Sequence, residues 1–111
     1  MDKIKQYQNY LKEILKDYSD SFPSDENNKT LCIADDTQGI YMLMRVGWNK
    51  KFRVHSTMFH ADIIDDKIWI QDDWTEYSIA KELTDRGVSE SKIVIAFQPK
   101  DIRETMSYAV Q

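Results

Sequence analysis

The 111 residues, 31% charged and 41% hydrophobic, amount to one domain. Such a chain can bury roughly two thirds of its unfolded surface, enough for one core without staples. A net charge of −4 and a pI near 5.1 exclude a protein whose main business is a bare phosphate backbone, since that binding rests on clustered Lys and Arg. The single cysteine, Cys32, excludes an intrachain disulfide, and no Cys/His cluster has zinc spacing. There is no apolar leader and no run of about 18 apolar residues. The expectation is a soluble, cytoplasmic domain spanning residues 1–111, with no membrane segment and no cofactor.

The first segment, Asp2 to Tyr18, carries Ile4, Tyr7, Leu11, Ile14 and Tyr18 at alternating spacings of three and four. That is one face of a helix, which Asp2 can cap. Ser19 to Lys29 holds Pro23 among Ser, Asp and Asn residues and reads as a loop. Thr30–Ala34 is a short strand and Asp35–Gly39 a turn. Ile40–Trp48 is a second strand, apolar on both faces at its start and therefore expected to be central. Asn49 and Lys50 turn the chain into Lys51–Ile64, a strand candidate so long that a bulge or bend is expected near Ser56 to Phe59. Asp65-Asp66 is a hairpin turn, and Lys67–Gln71 is a fourth strand.

Next, Asp73 and Glu76 have the spacing of a capping box, which predicts a helix from there to about Arg86, ended by Gly87. Ser89–Lys92 is a connector. Ile93–Phe97 is a continuous apolar strand expected to be covered on both sides, and Pro99 opens a last short helix. Tyr108, Ala109 and Val110 are apolar enough to dock. The fold class is α+β. An antiparallel meander of about five strands carries an N-terminal helix, a middle helix and a short C-terminal helix packed on it.

Candidate chemistry is sparse. His55 and His60 are the only histidines. An odd separation on one regular strand puts them on opposite faces, unless a bulge intervenes. His60 and Asp62 are two apart on one face, about 7 Å between Cα atoms. They suit a base with its orienter, or two ligands of an incomplete metal site. Lys50, Lys51, Arg53 and His55 suit a small anion or nucleic-acid patch. Trp48, Trp69 and Trp74 lie near strand ends, where aromatics favour a protein interface. No Ser or Cys stands in a nucleophile motif and no glycine-rich phosphate loop exists, so nothing reads as an enzyme.

Several pieces together carry a family resemblance. They are Val46-Gly47-Trp48, Arg53-Val54-His55, His60, the DKIWIQ run from Asp66 to Gln71, Thr75-Glu76, Ile79-Ala80 and the closing Tyr108-Ala109-Val110. With the opening MDKIKQYQNYLKEIL, the chain strongly resembles the XisI family, the fdxN-element excision controlling factors, over nearly its whole length. It departs where members often carry glycine: after the aspartate of the third hairpin, here Asp66, and at two positions near the second helix, here Trp74 and Ser78.

The resemblance implies a cyanobacterial protein associated with programmed excision of a DNA element. It also implies a site-specific recombinase and a nuclease-like companion, XisH, acting alongside. The leading expectation is a non-enzymatic controlling factor that binds an XisH-like protein, touching DNA only through that partner or the recombinase. Its candidate interaction surface is Trp48, Lys50, Lys51, Arg53, His55, His60, Asp62, Trp69, Thr75 and Glu76. One alternative is direct DNA binding through Lys50, Lys51 and Arg53. A second is a small metal-dependent hydrolase using His60 and Asp62. A homodimer through the N-terminal helix or the sheet edge is expected.

Overall fold

Three hairpins dominate the computed structural model, which describes residues 2–111. β1 (Asn28–Asp35), β2 (Ile40–Asn49), β3 (Phe52–Ile64) and β4 (Lys67–Asp73) form an antiparallel meander in sequence order. The turns between them follow from residue chemistry. Gly39 sits at φ 70°, Lys50 at 57°, and Asp65 and Asp66 at 49° and 64°. Left-handed backbone of this kind favours Gly and tolerates Asp.

β5 (Ile93–Ile95) departs from the expected meander, because it pairs parallel to β4. The chain reaches it through α2 (Ile79–Asp85) and a single 3₁₀ turn at Glu90–Lys92. A strand–helix–strand passage brings the second strand back in the same direction, as the first three tight turns cannot. The sheet is therefore mixed, though mostly antiparallel. Ala109 bridges Val94 and closes the outer edge of β5, so the C-terminal segment docks.

α1 (Lys3–Ser21) lies across one face of the sheet, and the Asp2 carboxylate accepts from the Ile4 N–H at 3.0 Å. Its buried stripe is Tyr7, Leu11 and Ile14, as the periodicity predicts, widened by Leu15. Under it lie Tyr41 and Leu43 of β2, Phe59 and Ala61 of β3, and Ile68 and Ile70 of β4. Ile79, Ala80 and Leu83 of α2 complete this core. Ile93, Val94 and Ile95 are all buried, as the continuous apolar run predicts. α3 (Lys100–Arg103) follows Pro99 at the surface.

The capping box does not form. Asp73 is the last residue of β4, paired with Phe59, and the next N–H, of Trp74, bonds the Met58 carbonyl at 2.8 Å. The sheet therefore holds the backbone that a helix start would need. Asp73 instead accepts from the Thr75 N–H at 2.9 Å and the Ile79 N–H at 2.8 Å, bridging strand to helix. Ser78 is the actual cap, accepting from the Lys81 N–H, with φ at 92°. That backbone is strained for any residue but glycine. Asp66 and Ser78, two of the three departures from the family pattern, thus both stand at positive φ.

Candidate functional site

Strand alternation sorts the candidate residues. With Tyr41 and Leu43 buried under α1, their neighbours Ile40, Met42 and Met44 point to the opposite face, away from α1 and α2. The register adds Leu31 and Ile33 of β1, His60 and Asp62 of β3, and Trp69 of β4 to that open face. Leu31 and Ile33 are each 39% exposed.

The bulge expected near Ser56 to Phe59 falls at Met58. Thr57 pairs with Met44 and Phe59 with Leu43, so Met58 is the extra residue. The odd-separation reading of the histidines is overturned as a result. One extra residue restores the parity, and His55, opposite Val46, shares the open face with His60, opposite Met42. Three pairs lie between them along the ladder.

Next to His60, its Nε2 and the Asp62 Oδ1 are 2.7 Å apart, and the Gln71 amide donates to the other Asp62 oxygen at 3.2 Å. A second register shift, between His60 and Ala61, leaves Gln71 as the extra residue of β4 and brings its amide there. The pair is half-buried on an open surface. Among the described residues, no three His, Cys, Asp or Glu side chains gather as a metal ion would require. What this arrangement does is hold one imidazole in a fixed orientation on the sheet.

At the other end of the face, Arg53 stacks over the Trp48 ring at 5.3 Å from its centroid and donates to the Gly47 carbonyl at 3.2 Å. Lys50 and Lys51 form the exposed turn beside them. Gly47 has its own reason. A Cβ there would lie 2.1 Å from the Asn27 carbonyl oxygen, so only glycine lets the 27–28 backbone approach β2. Behind it Asn28, Arg45, Asn49, Lys50, Val54 and Ser56 line an open cleft of about 610 Å³.

Thr75 and Glu76 lie elsewhere, beside Trp74, which the sequence singles out as an interface aromatic, and beside Tyr18, Phe22, Met58 and Tyr77, which it does not. Tyr18, Phe22, Met58, Trp74 and Tyr77 line a groove of about 450 Å³ together with both. Trp74 is 78% exposed, and Phe22 and Tyr77 are exposed as well. The groove is held from below. Thr75 Oγ1 donates to Asp73 at 2.5 Å, the Tyr77 hydroxyl donates to Asp85 at 2.6 Å, and Tyr18 stands edge-on to buried Phe59. The bulge that aligns the histidines also delivers Met58 to this groove. Burial and the neighbouring carboxylates keep the Tyr18 hydroxyl protonated above its ordinary range, against a hydrogen bond with Thr75. The signal in the sequence was the two aromatics, Trp74 and Tyr77, in a stretch bearing no helical stripe.

Among the described residues, no helix is long and apolar enough to cross a membrane. A comparison with the curated proteins finds no match. Solved structures are similar over the full chain. A XisI-like protein from Anabaena variabilis is 32% identical, with a TM-score of 0.92 over 97% of this chain and 99% of its own. The fdxN element excision controlling factor XisI from Anabaena variabilis is 28% identical, with a TM-score of 0.88 over 99% of this chain and 100% of its own. The family model described as XisI protein matches residues 1–110. The chain belongs to the XisI family.

Proposed function

We propose that this chain is a non-enzymatic controlling factor for excision of a DNA element, acting by binding a protein partner of the XisH-like kind. Family membership and the related excision controlling factor XisI support the role in excision control. The observation that carries the protein-binding reading is the aromatic groove. Trp74 leaves 78% of its surface in water, flanked by exposed Phe22 and Tyr77. Large aromatics in a shallow groove are the usual anchors of protein interfaces.

The test is co-purification of the chain with an XisH-like protein. The wild type retains the partner, and Trp74→Ala with Tyr77→Ala releases it, with an unchanged circular dichroism spectrum. Failure of the wild type to retain the partner rejects the reading.

A further inference from the structure

We propose that the open face of the sheet is a homodimer interface, against which a second copy of this chain packs face to face with its strands running the opposite way. The proposal stands apart from the partner reading, since it uses a different surface.

The other surfaces named for a homodimer are poorly suited. α1 turns Lys3, Lys5, Lys12, Glu13, Lys16 and Asp17 to water, so its outer side offers no apolar seam. The edge of β5 is closed by Ala109. The edge of β1 is blocked over its first half. The Ser24 hydroxyl takes the Thr30 N–H at 2.9 Å, and the Asp25 N–H takes the Asn28 carbonyl at 2.8 Å.

The open face has what those surfaces lack. Leu31, Ile33, Ile40, Met42 and Met44 form its centre, and none of them is buried, whereas towards β5 the face is closed over Val94. An apolar sheet face without a covering layer is a surface that sandwiches bury, at about 10 Å between sheets. Four strands about 4.8 Å apart and roughly eight residues long cover about 500 Å² before side-chain relief. That is the scale of one side of a standard interface, about 800 Å².

Charge selects both the occupant and its orientation. By strand register, Lys29, Arg53 and His55 lie at the end of the face next to the β2–β3 turn, with Lys50 and Lys51 in that turn. At the far end lie Asp35 and Asp62, with Asp65 and Asp66 in the β3–β4 turn. At that far end Lys67 gives its ammonium to the Gln111 carbonyl, and Lys3 and Lys92 line a pocket with Asp66. The face is thus basic at one end, apolar in the middle and acidic at the other, and so complementary to itself.

A two-fold axis across the strands lays each basic end on the other copy's acidic end. An axis along the strands lays like charge on like charge. Only the first is favourable, and it gives the isologous, closed contact of a dimer.

Sedimentation equilibrium of the full chain tests this. The wild type is expected at twice 13.2 kDa. Met44→Glu, which puts an unpaired carboxylate into the contact, is expected to weaken the dimer at least about a hundredfold while the monomer stays folded. Lys29→Glu with Arg53→Glu is expected to weaken it about tenfold by setting acid on acid, and Lys5→Glu on α1 to leave it unchanged. A wild type that stays monomeric at about 0.1 mM overturns the proposal, as does a dimer that Met44→Glu leaves intact. A charge-reversed pair that dimerises as well as the wild type overturns the orientation. Trp74→Ala with Tyr77→Ala keeps the dimer whatever it does to partner retention, so failure of one reading is separable from failure of the other.

Discussion

The two faces of this sheet carry similar side chains and meet different fates. Under α1 and α2, Tyr41, Leu43, Phe59, Ala61, Ile68 and Ile70 are buried. On the other side Leu31, Ile33, Ile40, Met42 and Met44 are left exposed or half-buried. Leu43 and Met44 are adjacent, yet one serves the fold and the other is left to a partner surface. Apolarity alone therefore does not mark the core. What marks it is the stripe of α1 that can reach it.

The largest expected difference comes from truncation on each face. Phe59→Ala removes a fully buried ring that Tyr18 touches edge-on, and should cost about 3–5 kcal/mol in urea denaturation. Met44→Ala, measured in dilute monomer, should cost about 1 kcal/mol or less. Similar costs at both positions would erase the distinction.

Gly47→Ala comes next. Its Cβ would meet backbone atoms of Asn27 and Asn28, which a strand cannot yield easily, and a loss of about 1–3 kcal/mol is expected. Ser78→Gly should instead stabilise, by about 1 kcal/mol. Relief of the φ of 92° outweighs a cap that glycine replaces with a loss of only a few tenths.

The smallest effects are pH limbs, and both belong to the helix-covered face. The Lys12 ammonium, 2.6 Å away, and then the Tyr41 hydroxyl hold the Asp36 carboxyl below the usual carboxylate range. Its folded pKa lies below its unfolded one. This contribution is complete above about pH 4 and is lost as pH falls through the folded value. Tyr41 runs the other way. Burial, and then Asp36, push its hydroxyl well above the usual tyrosine range. Its contribution is complete below about pH 10 and is lost as pH rises further. Tyr41→Phe should flatten the alkaline limb and cost about 1 kcal/mol at neutral pH. Asp36→Asn should flatten the acid limb with a smaller change at neutrality.

Much of the fold was legible because turn chemistry is local. Gly39, Lys50 and the Asp65-Asp66 pair place three hairpins, and the 3–4 spacing of α1 places its buried stripe. The parallel pairing of β5 was written as strand, helix, strand, a passage that reads as a crossover once α2 is kept short. The capping box misled because Asp73 has the right neighbours at the right distance, while the ladder to Phe59 claims its backbone first. The bulge at Met58 was expected from strand length, but its consequence, both histidines on one face, depends on which residue is extra. Of the candidate surface, Trp48, Arg53, His55, His60, Asp62 and Trp69 share the open face. Lys50 and Lys51 rim it, and Thr75 and Glu76 belong to the aromatic groove. Grouping of that kind depends on tertiary packing, which the order of residues along one strand does not reveal.

The most direct measurement compares two neighbours on β2. A glutamate is placed at Leu43 in one variant and at Met44 in another, and each is unfolded in urea at low protein concentration. Leu43→Glu should leave no cooperative transition, because its carboxylate would lie in the helix-covered core. Met44→Glu should unfold cooperatively with nearly the wild-type midpoint. Loss of the transition in both variants would mean that the open face is needed for folding and is not free for another molecule.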